Sequence, residues 1–286
     1  MPGTTFLPVA GPLGTLISLV ISAVIMLVIG NNYSFLMNKR PGTGGVYSYT
    51  KEAFGRDHAF LCSWFLCLSY LTIVFLNATA LFIVIRTMFG SLLQSGYCYS
   101  IAGNEIYLKE VAVSAVALAL VGLLFIKAKA FLQRIHTILS LILLAGTIFI
   151  AFICLPKLDL SKITSFGTMQ ISPFFAIFSI VLLAPWAFVG FDVIAFETAH
   201  FNFPVKRSRG IIFLSIIISA AVYIALALVS ISVLPDGFSS WQEYFGSLGN
   251  LSGVPSVPTF YAARSLLGTP GTIIMGVTAL SAILSG

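Results

Sequence analysis

Asp192 stands in an otherwise apolar run, just after Gly190 and close behind Pro185, and this spacing is the strongest chemical signal in the sequence. Pro185 has no backbone N–H to donate and Gly190 tolerates almost any backbone conformation, so helix geometry weakens through Ala184, Pro185, Trp186, Ala187, Phe188, Val189 and Gly190. A carboxylate at membrane depth is costly unless it faces a wet cavity or a partner, which makes Asp192 a candidate gating or coupling group. The loosened turn before it is a candidate binding surface, because backbone groups freed by a break can hold the polar ends of a small molecule. The alternative is a packing kink whose acid reaches interfacial water. Glu197 and His200 follow, ahead of Lys206, Arg207, Ser208 and Arg209. Glu197 is either a second coupling acid or a partner of those cations. Asn77 and Thr79, with Tyr70 and Thr72 about two turns earlier, put polar groups in the middle of another apolar run, where they need partners in the protein or a cavity.

Other chemistries are poorly served. The glycine-rich stretch Arg40-Pro41-Gly42-Thr43-Gly44-Gly45-Val46-Tyr47-Ser48-Tyr49 lacks the Gly-Lys-Ser/Thr ending of a phosphate-binding loop, and no strand precedes it. Cys62, Cys67, Cys98 and Cys154 have neither metal-ligand spacing nor the density of a disulfide framework, and read as packing residues. His58, His136 and His200 have no nucleophile at a motif spacing, so an intramembrane enzyme is the weakest of the function classes. No cofactor and no metal site is expected.

The elements that must position these residues are membrane helices. Only 8% of residues are charged, against roughly 25% in an ordinary soluble domain, and mean hydropathy is +1.04. A crossing needs about 20 apolar residues. Runs of that kind predict spans at 13–36, 58–89, 108–127, 132–155, 173–200 and 208–234, with an incomplete one at 271–286, all within a single domain covering 1–286. The net charge of +6 sits in short clusters between the runs, which argues for membrane topology and against nucleic acid as a partner. Alternate connections hold ten Lys and Arg (Lys39, Arg40, Lys51, Arg56; Lys127, Lys129, Arg134; Lys206, Arg207, Arg209) against five (Arg86, Lys109, Lys157, Lys162, Arg264). Cytoplasmic loops retain positive charge, so the loops near 37–57, 127–134 and 201–209 are expected in the cytoplasm. The connection 235–270, with Trp241, Tyr244, Phe245, Phe260 and Tyr261, is expected outside, either at the membrane interface or as a plain solvated loop.

Two segments resemble a known family. Pro41–Gly55, PGTGGVYSYTKEAFG, is similar to the segment between helices two and three of amino acid permeases of the amino acid/polyamine/organocation superfamily. Phe188–Pro204, FVGFDVIAFETAHFNFP, is similar to their sixth helix. The resemblance implies an all-α, LeuT-like fold of two five-helix repeats in inverted topology, with helices one and six broken at the substrate site. It makes the predicted spans helices two to seven and the start of eight, and likens Met1–Pro12 to the outer half of helix one. The glycine-rich break that precedes that half, and helices nine and ten, are not in the sequence, so both ends read as interior to a longer protein.

By the same resemblance Ala184, Trp186, Ala187, Val189 and Gly190 line the substrate, Trp186 covers it, and Asn77 approaches it from helix three. Asp192 and Glu197 then belong to gating or coupling, and Ser140 occupies a position where some proton-coupled relatives carry a lysine. The implied activity is secondary active transport of an amino acid across the cell membrane, coupled to proton or sodium or run as exchange. The lipid bilayer is the other implied partner. A polyamine or organic-cation carrier of the same superfamily and a transport-inactive fragment are the alternatives.

Overall fold

The computed structural model describes residues 2–101, 104–159 and 172–286, and all that follows concerns those residues. Lys162, counted above among the outer cations, lies outside them. The first apolar run opens with a π-helical turn, Pro2–Phe6, and continues as α1, Leu7–Lys39. Gly11 interrupts it with φ 68° and ψ −177°, directly before Pro12, so two helical pieces meet at a kink where the proline cannot donate to the preceding turn. After a short loop come α2, Gly45–Phe54, and the long α3, Arg56–Phe89. A two-stranded antiparallel hairpin, β1 Cys98–Ile101 and β2 Asn104–Tyr107, leads into α4, Leu108–Lys127, and α5, Lys129–Cys154. The remaining helices are α6, Pro173–Ala187; α7, Ser208–Ser230; α8, Trp241–Ser247; α9, Pro258–Leu267; and α10, Thr269–Ser285.

Five helical stretches are long and apolar enough to cross a membrane, with hydropathies of 2.1 to 2.8. They run over Pro2–Lys39, Arg56–Leu93, Leu108–Lys127, Lys129–Lys157 and Val205–Ser230; Pro173–Leu183 and Thr269–Ser285 are shorter apolar helices. Their outward faces carry bare hydrophobic side chains, Phe152 and Ile126 each 79% exposed, which is a surface for lipid or further protein rather than for water. The stretch 173–200, expected as one crossing, is α-helical only to Ala187 and continues as separate 3-10 turns.

α1 packs between α6 and α7, while α5 packs on α7 and α10. Without a hydrophobic driving force in lipid, such contacts depend on close approach and on polar groups that satisfy one another. Both occur on α1. Ser18 donates through Oγ to the carbonyls of Gly14 at 2.7 Å and Ile177 of α6 at 3.3 Å, and Ser22 donates to Ser18 at 2.5 Å. Gly30 sits so near α7 that a β-carbon there would lie 2.6 Å from Ile212. One core gathers Met26, Met37, Tyr49, Phe188, Ala195, Ile212 and Ile216 around the start of α2 and the turns after α6.

Two features depart from what the residues alone suggest. Trp241, Tyr244, Phe245 and Phe260 turn inward and are at most 6% exposed, because the 235–270 connection folds into α8 and α9 and closes over Leu7 and Ile231. The Tyr244 hydroxyl donates to the Pro255 carbonyl at 2.8 Å, and burial pushes this phenol's pKa upward. Arg86, read as a loop cation, is instead in the last turn of α3 and pairs through two nitrogens with the fully buried Glu110 of α4. Its guanidinium also lies over the rings of Phe82 and Tyr107 and donates to the Glu105 carbonyl at 2.8 Å, which fastens the β-hairpin to α3.

Candidate functional site

α6 begins at Pro173, with the Ser172 hydroxyl accepting the Phe175 N–H, and its first turns are uniformly apolar. Pro185 ends the regular ladder: it supplies no N–H to the carbonyl of Val181, and Phe188 N–H then closes a tighter turn onto the Pro185 carbonyl at 3.2 Å. The chain reverses at Gly190, with φ 111° and ψ −20°, a left-handed conformation that a side chain would strain. Beyond it the backbone runs as 3-10 turns over Phe191–Phe196, Thr198–His200 and Val205–Arg207 before α7. The sequence therefore yields a helix, a hinge and an irregular arm.

Asp192 sits at the root of that arm and is 7% exposed. Both of its carboxylate oxygens have donors: Tyr70 of α3 donates through Oη to Oδ2 at 2.5 Å, and the Gly190 N–H donates to Oδ1 at 3.2 Å. The break thus provides one of the bonds that make burial of the acid tolerable, and a helix distant in sequence provides the other. Tyr33 of α1 packs edge-on against Phe191, ring centroids 5.6 Å apart. Tyr33 and Tyr70 both lie close enough to Asp192 to interact with it electrostatically.

The other expected site residues scatter around this centre. Trp186 and Val189 are 38% and 37% exposed. A β-carbon at Gly190 would meet nothing within 4 Å, so the space beside its α-carbon is open, while its N–H is bonded to Asp192 and its carbonyl to the Val193 N–H. Ala187 is half-buried against the core that holds Phe188. Ala184 belongs to α6, and the placement of its side chain lies outside what is described. Asn77 belongs to α3. It lines a separate hollow of about 150 Å³ between α3, α4 and the end of α10, with Ser114 and Gly286. A larger open hollow, about 420 Å³, lies beside Tyr70 and is lined also by Ser63, Cys67, Val74 and Phe196. Val74 belongs to both.

Glu197 does not join Asp192. It pairs with His200 at 3.1 Å, both side chains more than half exposed, an arrangement worth little energetically, and it makes no ion pair with Lys206, Arg207 or Arg209. Its neighbour Thr198 is the residue that the sequence did not single out. Thr198 is 4% exposed, and its hydroxyl accepts the Gly42 N–H at 2.8 Å while donating to the Gly42 carbonyl. Phe196 lies against Gly45, whose φ of 48° and lack of a β-carbon permit the contact. The two segments singled out for their resemblance to one family, Pro41–Gly55 and Phe188–Pro204, therefore touch. Among the described residues no three His, Cys, Asp or Glu side chains are grouped to hold a metal ion.

A family model described as amino acid permease matches residues 2–286. The chain is also similar to the branched-chain amino acid permease BcaP of Bacillus subtilis (strain 168), 25% identical over 247 residues, which covers 79% of this chain and 49% of that protein. The chain spans about half the length of that curated relative.

Proposed function

Since the chain belongs to the amino acid permease family of the amino acid/polyamine/organocation superfamily, and is a polytopic helical membrane protein, we propose that the whole protein is a secondary active transporter of apolar amino acids. The observation that carries this is the interrupted sixth helix, with Asp192 buried at the root of a 3-10 arm and bonded to Tyr70 across from α3. An opened backbone can hold the carboxylate and ammonium ends of an amino acid, as helix termini in transporters do. Exposed Trp186 and Val189, with Ala187 and the Gly190 backbone, offer an apolar wall for the side chain. The relative's name specifies branched-chain amino acids, and that substrate class suits this wall.

Transport proceeds by alternating access, with the arm swinging about Gly190 while α2 and α3 stay as a body. A proton is favoured over sodium as the coupling ion by the state of the Asp192 oxygens. Both accept from donors, so a proton added there removes the charge that strengthens these bonds, and that links charge to the position of the arm. The loops near 37–57, 127–134 and 201–209 face the cytoplasm of a cell that carries the protein in its surface membrane, in keeping with their excess of Lys and Arg. A polyamine carrier needs several acids facing its cavity, and Asp192 is already committed to two donors.

Competition separates the two substrates. In proteoliposomes holding the full-length protein, unlabelled leucine, isoleucine or valine should suppress uptake of labelled leucine, while spermidine leaves it unchanged. Suppression by spermidine with no effect of amino acids would transfer the assignment to the polyamine class.

A further inference from the structure

We propose that Thr198 and Gly42 form a clasp that holds the arm carrying Asp192 shut against the loop between α1 and α2, so that opening the inner end of the site requires this clasp to break. The proposal rests on the transporter reading above for what lies at the inner end, but its geometry stands apart from that reading. The arm has no α-helical ladder. Its backbone bonds are single 3-10 closures, Val193 to Gly190 at 3.3 Å, Glu197 to Ile194 at 3.3 Å and His200 to Glu197 at 2.9 Å. Closures of this kind set local turns and leave the direction of the segment free. Phe191, Ile194 and Ala195 pack it into the core beside α1 and α7, and three contacts hold it to the α2–α3 side: Asp192 to Tyr70 at the root, Phe196 on Gly45 in the middle and Thr198 on Gly42 further along.

The tip contact is reciprocal. A threonine hydroxyl has one hydrogen to give and lone pairs to accept with, and here it serves the N–H and the carbonyl of the same residue. Both backbone groups of Gly42 would lose their partner together if the arm moved, so the bonds break as a unit. Gly42 belongs to the loop that joins α1 to α2, and α2 packs on α3, which carries Tyr70. The clasp and the Asp192 bond therefore tie the two ends of the arm to one body. Phe196, between them, forms part of the wall of the hollow that also contains Cys67. Release of the tip carries Phe196 away from Gly45 and uncovers the face of the arm on which Ala195 is fully buried.

Ala195, on the arm and fully buried, is the place for a reporter of this movement. In the full-length protein with every native cysteine replaced, Cys62, Cys67, Cys98 and Cys154 among them, and Ala195→Cys introduced, labelling of the introduced thiol by a membrane-impermeant maleimide is followed from the inner face of membrane vesicles. Thr198→Val keeps the shape and removes both bonds, and should speed labelling about tenfold, the ratio given by roughly one net hydrogen bond of lost restraint. Thr198→Ser keeps both bonds and should label at the wild-type rate. Labelling of Thr198→Val at the wild-type rate overturns the clasp. If Thr198→Val is not recovered folded, Gly45→Ala decides instead, since its β-carbon would lie 2.7 Å from the Phe196 ring: faster labelling supports the clasp and an unchanged rate overturns it. Amino acid uptake by the same wild-type vesicles keeps the two ideas apart. Faster labelling with no uptake at all sinks the transport reading and leaves the clasp standing; uptake with unchanged labelling sinks the clasp alone.

Discussion

Tyr70 and Asp192 form the pair on which the residue-scale account turns, and substitution can pull their contributions apart. Asp192→Asn keeps the size and removes the titrating group, so uptake should lose its pH dependence. Tyr70→Phe leaves the carboxylate but removes the donor to Oδ2, so uptake should fall by roughly ten- to a hundredfold, the range for one hydrogen bond to a charged group, while its pH dependence persists. Initial rates across a pH series check both, and an unchanged profile in Asp192→Asn would remove the acid from coupling. Asp192 was legible in the sequence because an isolated acid in an apolar run is rare for an energetic reason. Its partner was not. Tyr70 stood out as a polar residue in mid-span, but choosing it over Thr72 or Asn77 needs the rotation of α3 against the arm, which no local pattern encodes. Asn77, which by family resemblance approaches the substrate, lines the hollow shared with α4 and α10.

At the scale of elements, long apolar runs announced the helices, since helix length in a membrane is dictated by the thickness to be crossed. Pro185 and Gly190 likewise announced the place where α6 gives way. The course of the chain after the break was hidden, because 3-10 turns have no periodic signature and this arm takes its direction from residues far away in the sequence. Glu110 was hidden for a related reason: an acid at the start of an apolar run reads as a helix-end charge, and only the approach of α3 turns it into half of a buried ion pair. That pair supports a prediction about the α3, hairpin and α4 unit. Arg86→Met strands the Glu110 carboxylate and should cost roughly 3–5 kcal/mol, seen as a lower unfolding temperature in detergent, whereas the double change Arg86→Met with Glu110→Met should recover most of the loss. An unfolding temperature for Arg86→Met equal to that of the wild type would show that the pair carries no such weight.

For the molecule as a whole, exposed apolar faces, few charges and an interrupted helix with a buried acid all suit a membrane protein that moves, and the family match agrees with them. The two family-like segments lie far apart in the chain yet meet at Gly42 and Thr198. The central claim is that the complete protein couples a gradient to amino acid movement. Its most direct test is accumulation of labelled leucine by proteoliposomes of the full-length protein when their interior is made alkaline relative to the outside. Accumulation above the external concentration that collapses on addition of a protonophore is the predicted result. A well-folded preparation that takes up no amino acid, with or without a proton or sodium gradient, would contradict it.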